Sequence, residues 1–140
     1  MASLPVSTIV FDHRQVEAGA LFVALQGRRF DGHRFIPAAL ERGAVAVIGV
    51  LNQAALAEQG ITLDPAVPYM QVANSRLALA QCCAAFYGYP SRSMTILGVT
   101  GTDGKTTTTS LIESILATAT SERATDPGRV GVITTVGARV

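Results

Sequence analysis

The chain is poor in lysine and cysteine and has no long apolar run, and each shortage closes off a class of function. Of eleven Lys and Arg residues only Lys105 is a lysine, and the arginines form no basic run. With a net charge of +1, nothing points to nucleic acid or to an anionic membrane surface. Cys82 and Cys83 are sequence neighbours, so they cannot easily bridge each other, and no C-x-x-C metal spacing exists. They are expected as two small buried residues with free thiols, which fits a reducing cytoplasm. No stretch approaches the ~18 apolar residues of a membrane span, and the N-terminus lacks the basic and apolar regions of a signal peptide. What is present is globular: 140 residues, 49% hydrophobic and 15% charged. That is one ordinary domain, or a small domain and a piece of another.

Strand and helix patterns alternate along the chain, which predicts an α/β fold. Residues 7–11 and 20–25 read as strands, and 26–32 as a polar, Gly-bounded loop. Over 33–42, Phe35 and Ala39, and Ile36 and Leu40, are spaced by four and predict a helix with Gly43 just past its end. Residues 44–50 (AVAVIGV) are short and continuously apolar, as in a strand buried on both faces. A short helix over 52–59 and a strand over 69–72 follow, then Asn74 as an N-cap. The helix behind it, 75–87, is apolar nearly all round and is expected to be largely buried. Gly88 and Pro90 stop it. Residues 95–99 (TILGV) predict a strand, 105–117 a helix, 118–128 an exposed polar loop and 129–135 a strand parallel to the first. The best boundary is Tyr89-Pro90-Ser91-Arg92, giving domains 1–90 and 91–140. Two parallel strands and one helix cannot cover both faces of a sheet, so the second domain looks cut short.

Between the strand and the helix of that second domain lies Gly101-Thr102-Asp103-Gly104-Lys105-Thr106-Thr107. This order suits a triphosphate. The glycines allow a tight turn that brings N–H groups to phosphate oxygens. The helix start adds its free amides and positive dipole end. Lys105 adds a full charge for the β/γ-phosphates, and the Thr106 hydroxyl is placed to ligate Mg²⁺. The strict pattern G-x-x-x-x-G-K-[ST] is not met, because Val99 stands where its first Gly belongs. The plainer alternative is a Gly-rich turn before an ordinary helix.

His13, between Asp12 and Arg14, and His33, after Asp31-Gly32, are too isolated for a metal site. Taken alone, 12–14 reads as a hydrogen-bonded turn and Asp31 as the cap of the helix beginning near His33. Substrate contact is the other reading.

Gly101-Thr102-Asp103-Gly104-Lys105-Thr106-Thr107 resembles the G-T-[ND]-G-K-T-[ST] ATP loop of the Mur ligase family. Upstream, Asp12-His13-Arg14, Gly19-Ala20-Leu21-Phe22-Val23-Ala24, Gly27, Asp31-Gly32-His33-Arg34-Phe35-Ile36 and Gly43-Ala44-Val45-Ala46-Val47 are similar to the N-terminal domain of two of those ligases. One adds the third residue of the stem peptide, the other D-Ala-D-Ala. Thr102, with the threonine run after Lys105, favours the first.

The resemblance implies a small N-terminal α/β domain followed by the start of a mostly parallel P-loop ATPase domain. It implies ATP and Mg²⁺ as cofactors, with ATP bound at 101–107 and Thr106 on the metal. It also implies a UDP-N-acetylmuramoyl-dipeptide substrate, an amino-acid co-substrate and a cytoplasmic setting. ATP would phosphorylate the substrate carboxylate, and an amine would attack the acyl phosphate. The UDP end would lie against Asp12, His13, Arg14 and the loop carrying Arg28, Arg29, Phe30, Asp31 and His33. His13 replaces the family's Ser or Thr, so a hydroxyl contact is lost there. Family members have further parts, including acidic Mg²⁺ ligands, a modified lysine and a C-terminal domain. The chain is therefore expected to be a fragment that does not complete ligation alone, and its uncovered second sheet could drive association of copies. Alternatives are a free-standing module that binds UDP-linked precursors and an unrelated P-loop kinase or GTPase; the latter is disfavoured by Val99 and by Asp31-Gly32-His33.

Overall fold

The computed structural model describes residues 4–27, 31–121 and 130–140. The chain divides into two compact units, Met1–Ser93 and Met94–Val140.

The first unit is built on a four-stranded sheet, β1 (Thr8–Val10), β2 (Ala20–Val23), β3 (Ala44–Gly49) and β4 (Tyr69–Gln71), in that spatial order and all parallel. The apolar run of β3 is buried at every position but Val45, as a strand covered on both faces should be. Phe22 of β2 and Val47 of β3 pack with Ile36 of α1 (Ile36–Glu41) and Leu56 of α2 (Gln53–Glu58) to make the core. Local signals start these helices. Asn52 Oδ1 accepts the Ala55 N–H at 2.8 Å, and Asn74 Oδ1 accepts from Arg76 and Leu77 at 3.0 and 3.1 Å. Each satisfies amides that have no carbonyl partner within the helix.

Two expectations for this unit need correction. The helix predicted over 33–42 is a 3-10 turn, Gly32–Phe35, followed by α1. Asp31 captures the His33 N–H, which tightens the first turn, and Pro37 removes a donor where the α-helix takes over. The helix predicted over 75–87 forms as α3 (Ser75–Phe86), yet of its residues only Ser75 is buried. It lies against β1 and β3, and Leu77 and Phe86 remain exposed. Cys82 and Cys83 are correspondingly half-buried, not buried, and both are free.

The second unit holds one long helix, α4 (Lys105–Ser121), and an antiparallel hairpin, β5 (Val132–Thr134) with β6 (Gly137–Arg139). The strand predicted over 95–99 does not form, and Ile96 and Leu97 are exposed. The strand predicted over 129–135 is shorter and pairs with β6, so the expected parallel pair is absent among the described residues. A hairpin closes through a short turn, here with the Val136 N–H on Thr134 Oγ1. A lone parallel pair would need a long crossover and cover on both faces. The helix also runs past Ala117, into the segment expected as a loop. There Thr118 Oγ1 donates to Ser114 O and Thr120 Oγ1 to Leu116 O. Back-bonded hydroxyls satisfy themselves without leaving the helix. The rest of that expected loop, 122–128, lies outside the described residues.

Candidate functional site

In the first unit the two segments singled out by sequence meet beyond the carboxyl ends of β1 and β2. Just after β1, Asp12 caps a 3-10 turn, His13–Gln15. Its carboxylate accepts the Arg14 N–H at 3.0 Å and takes both Nε and Nη2 of the Arg14 side chain. The Arg14 side-chain bonds, then its backbone bond, hold the Asp12 carboxyl at about 2, below its ordinary 3.8. Arg42 Nη2 donates to Arg14 O at 3.0 Å and ties this turn to the end of α1.

The second segment is the loop after β2. Arg28, Arg29 and Phe30 lie outside the described residues. The flanks of this loop are joined by a bridge between Gln26 and Asp31 and by the Gly32 N–H on Leu25 O at 2.9 Å. Each residue of Asp31-Gly32-His33 has a physical reason. Asp31 accepts the His33 N–H at 3.0 Å. Gly32 passes so close to Leu25 that a Cβ there would lie 2.7 Å from Leu25 N. His33 is fully buried. Its Nδ1 meets Asp31 Oδ1 at 2.5 Å, and its Nε2 accepts the amides of Val50 and Leu51 at 3.0 and 3.4 Å. Two donors on Nε2 leave the ring proton on Nδ1, where it is donated to Asp31. Burial pushes the Asp31 carboxyl up, but the bonds from His33 outweigh it, and the group sits below its ordinary value.

His33 therefore touches the loop and the end of β3, with both ring nitrogens used inside the protein. Two further residues of this arrangement were not among the site residues expected from sequence. Gly49 gives the imidazole room: a Cβ would fall 2.7 Å from His33 Nε2 and 2.4 Å from Tyr69 Oη. Phe35 stacks on His13 with ring centroids 4.2 Å apart and planes 2° from parallel. This stack joins the 12–14 turn to the 31–35 segment. The only sequence signal for it was aromatic character at both positions.

The second unit places Gly101, Thr102, Asp103, Gly104, Lys105, Thr106 and Thr107 at the start of α4. Gly104 has φ +74°, a conformation glycine adopts freely, and this turns the chain into the helix. The first helical bond runs from the Thr108 N–H to Gly104 O at 2.9 Å. The amides of Lys105, Thr106 and Thr107 thus precede the ladder, where a helix offers no internal acceptor. Lys105 Nζ folds over the loop and donates to Gly101 O and Thr102 O at 2.5 and 2.9 Å, so among the described residues one of its three donors stays open. Residues 102–107 and 133–135, with Val99, line a groove of about 430 Å³. Thr134 and Thr135 are among the lining residues, a contribution that sequence reading missed because it assigned them only to a strand. Among the described residues no group of three or more His, Cys, Asp or Glu is placed to hold a metal. No helix among them is long and apolar enough to cross a membrane.

The model of the Mur ligase family, catalytic domain, matches residues 5–87. The UDP-N-acetylmuramyl-tripeptide synthetase of Roseiflexus sp. (strain RS-1) is 51% identical over 112 residues, covering 76% of this chain and 19% of that protein. The UDP-N-acetylmuramoyl-L-alanyl-D-glutamate--2,6-diaminopimelate ligase of Geobacillus thermodenitrificans is 38% identical over 135 residues, 96% of this chain and 24% of its own length. Among solved structures, the MurF ligase of Thermotoga maritima in complex with ADP superposes with a TM-score of 0.59 at 33% identity, over 83% of this chain and 24% of that one. The chain spans about a fifth of the length of the curated relatives it matches.

Proposed function

The chain belongs to the Mur ligase family, and we propose that it is the nucleotide-binding front of an ATP-dependent ligase of peptidoglycan synthesis. In this reading the parent enzyme adds the third stem-peptide amino acid to UDP-N-acetylmuramoyl-L-alanyl-D-glutamate. One observation carries it. A Gly-rich turn delivers open amides and a lysine ammonium to one groove at the start of α4, in the same chain as a family-matched N-terminal unit. Relatives named for tripeptide synthesis and for diaminopimelate addition support the choice of step, as does Thr102. The D-Ala-D-Ala-adding branch is the second reading, because the similar solved structures include MurF enzymes.

Residues 91–140 are then the beginning of the ATP domain. Its amides at 102–107 receive phosphate oxygens, and Lys105 exchanges a loop carbonyl for the β/γ-phosphates. No protein group engages the Thr106 hydroxyl among the described residues, which leaves it able to face a cation. Thr106 would hold Mg²⁺ together with the nucleotide's own oxygens, and the ion would neutralise phosphate charge. Transfer of the γ-phosphoryl group to the substrate carboxylate releases ADP. Attack of the amine on the acyl carbon, with loss of a proton, then expels phosphate and leaves the amide. Residues 1–90 would hold the UDP end through Asp12, His13, Arg14, Arg28, Arg29, Phe30 and Asp31, with His33 fixing the loop from behind. ATP and the UDP-linked precursor place the reaction in the cytoplasm.

Titrating the chain with ATP and Mg²⁺ by NMR tests this reading. Shifts are expected at 101–107 and at Thr134 and Thr135. Losing a charged hydrogen-bonding partner costs roughly 1.5–3 kcal/mol, so Lys105→Ala is expected to weaken ATP about 10- to 150-fold. Unchanged affinity in that variant overturns the assignment.

A further inference from the structure

We propose that the imidazole of His13 is a stacking platform for the pyrimidine base of a UDP-linked ligand, a role that rests on the reading of residues 12–14 as part of the UDP site. Phe35 covers one face of the ring at 4.2 Å and 2° from parallel, while 27% of the His13 side chain stays accessible. The face under Phe35 is covered, so that exposure comes from the rest of the side chain. The platform is fixed from behind. Phe35 closes the 3-10 turn that Asp31 caps. Buried His33 pins that turn to the amides of Val50 and Leu51 at the end of β3. Asp12 Oδ1 lies 3.8 Å from His13 Nδ1. A flat ring already held in place loses little freedom when a ligand lands on it.

The location agrees. His13 lies beyond the carboxyl end of β1, beside the segment that follows β2, and open parallel sheets bind ligands at that edge. A Ser or Thr at position 13 would offer a hydroxyl and no face. Histidine offers a face, so this chain replaces a directional polar contact by stacking, which every pyrimidine ring can accept.

The test titrates the chain with UDP, uridine and inorganic pyrophosphate, following the uracil H5 and H6 protons by NMR. Upfield ring-current shifts of both protons are expected on binding to the unsubstituted chain. His13→Ala should abolish the shifts and weaken UDP and uridine by roughly 5- to 100-fold, with pyrophosphate unaffected. His13→Phe should restore uridine binding, which separates a lost platform from a lost fold. UDP bound without upfield shifts, or uridine bound equally by the Ala variant, overturns the stacking role and leaves the UDP site standing. A chain that binds no UDP at all removes the site and this role together.

Discussion

Every aromatic residue of the chain, three Tyr and five Phe, lies in the first unit, and the second has none. The same division runs through burial. The first unit closes Phe22, Ile36, Leu56 and Val47 into a core, whereas Val132 is the one buried apolar residue among the described residues of the second. Both units read as strand–helix alternations. Among the described residues only the first contains the four strands that make a parallel sheet worth covering. The second keeps what can be encoded locally: a helix begun by Gly104 and lined with back-bonded hydroxyls, and a hairpin closed by a short turn. A Gly-rich turn at a helix start needs no core beneath it, so the loop takes its shape without the sheet.

Core truncation sharpens this contrast most. Phe22 is 1% exposed, and Phe22→Ala should destabilise the first unit by about 3–5 kcal/mol. Ile115 is 66% exposed, and Ile115→Ala should stay within about 0.5 kcal/mol. Urea unfolding followed by near-UV circular dichroism reads the first unit alone, because Tyr69, Tyr87 and Tyr89 all belong to it. Far-UV helix signal adds α4. A large loss from Ile115→Ala would mean that the second unit has a core the exposures do not reveal.

A smaller break is expected at the His33 anchor. Removing the imidazole strands the amides of Val50 and Leu51, now bonded to Nε2. An unsatisfied buried amide costs roughly 1–3 kcal/mol. His33→Ala should therefore lower the stability of the first unit by that order and speed hydrogen exchange at Val50 and Leu51. Exchange at the start of α4 should be unaltered. Faster exchange there would join the two units energetically and undo the contrast.

How much was legible follows the same line. Strands β1 to β4, the cap Asn74 and the stop at Gly43 could be read, because each is set by residues within one turn or by an apolar run. The roles of Gly32 and Gly49 could not. They depend on Leu25, Tyr69 and His33 approaching across the fold, and sequence spacing says nothing of such distances. The His13–Phe35 stack was hidden for the same reason, since its rings stand twenty-two positions apart. The failed strand at 95–99 teaches the converse. Its apolar pattern is genuine, but a strand exists only with a neighbour, and the residues of β5 that were expected to pair with it found β6 instead.

The finest probe compares two exposed ion pairs, one in each unit. Asp12 accepts the Arg14 side chain and its backbone amide. Among the described residues Glu113 accepts only the side chain of Arg139, with Nε on Oε1 at 2.8 Å. Side-chain hydrogen bonding lowers both carboxyls, and the added amide takes Asp12 to about 2 from 3.8. A carboxyl depressed by folding stabilises the native state above its unfolded value and loses that contribution as pH falls through the folded one. The Asp12 contribution should thus be constant from neutral pH to about 4 and fade between about 4 and about 2. Carboxyl-carbon NMR should show Asp12 titrating near 2. Arg14→Ala should raise that midpoint most of the way to 3.8, with the N–H at position 14 retaining the rest, while Arg139→Ala should release Glu113 almost completely. If Arg14→Ala leaves Asp12 depressed as before, the backbone amide holds the turn and the guanidinium is merely nearby. The Arg14 side chain, 78% exposed, would then be available to a phosphate without disturbing Asp12.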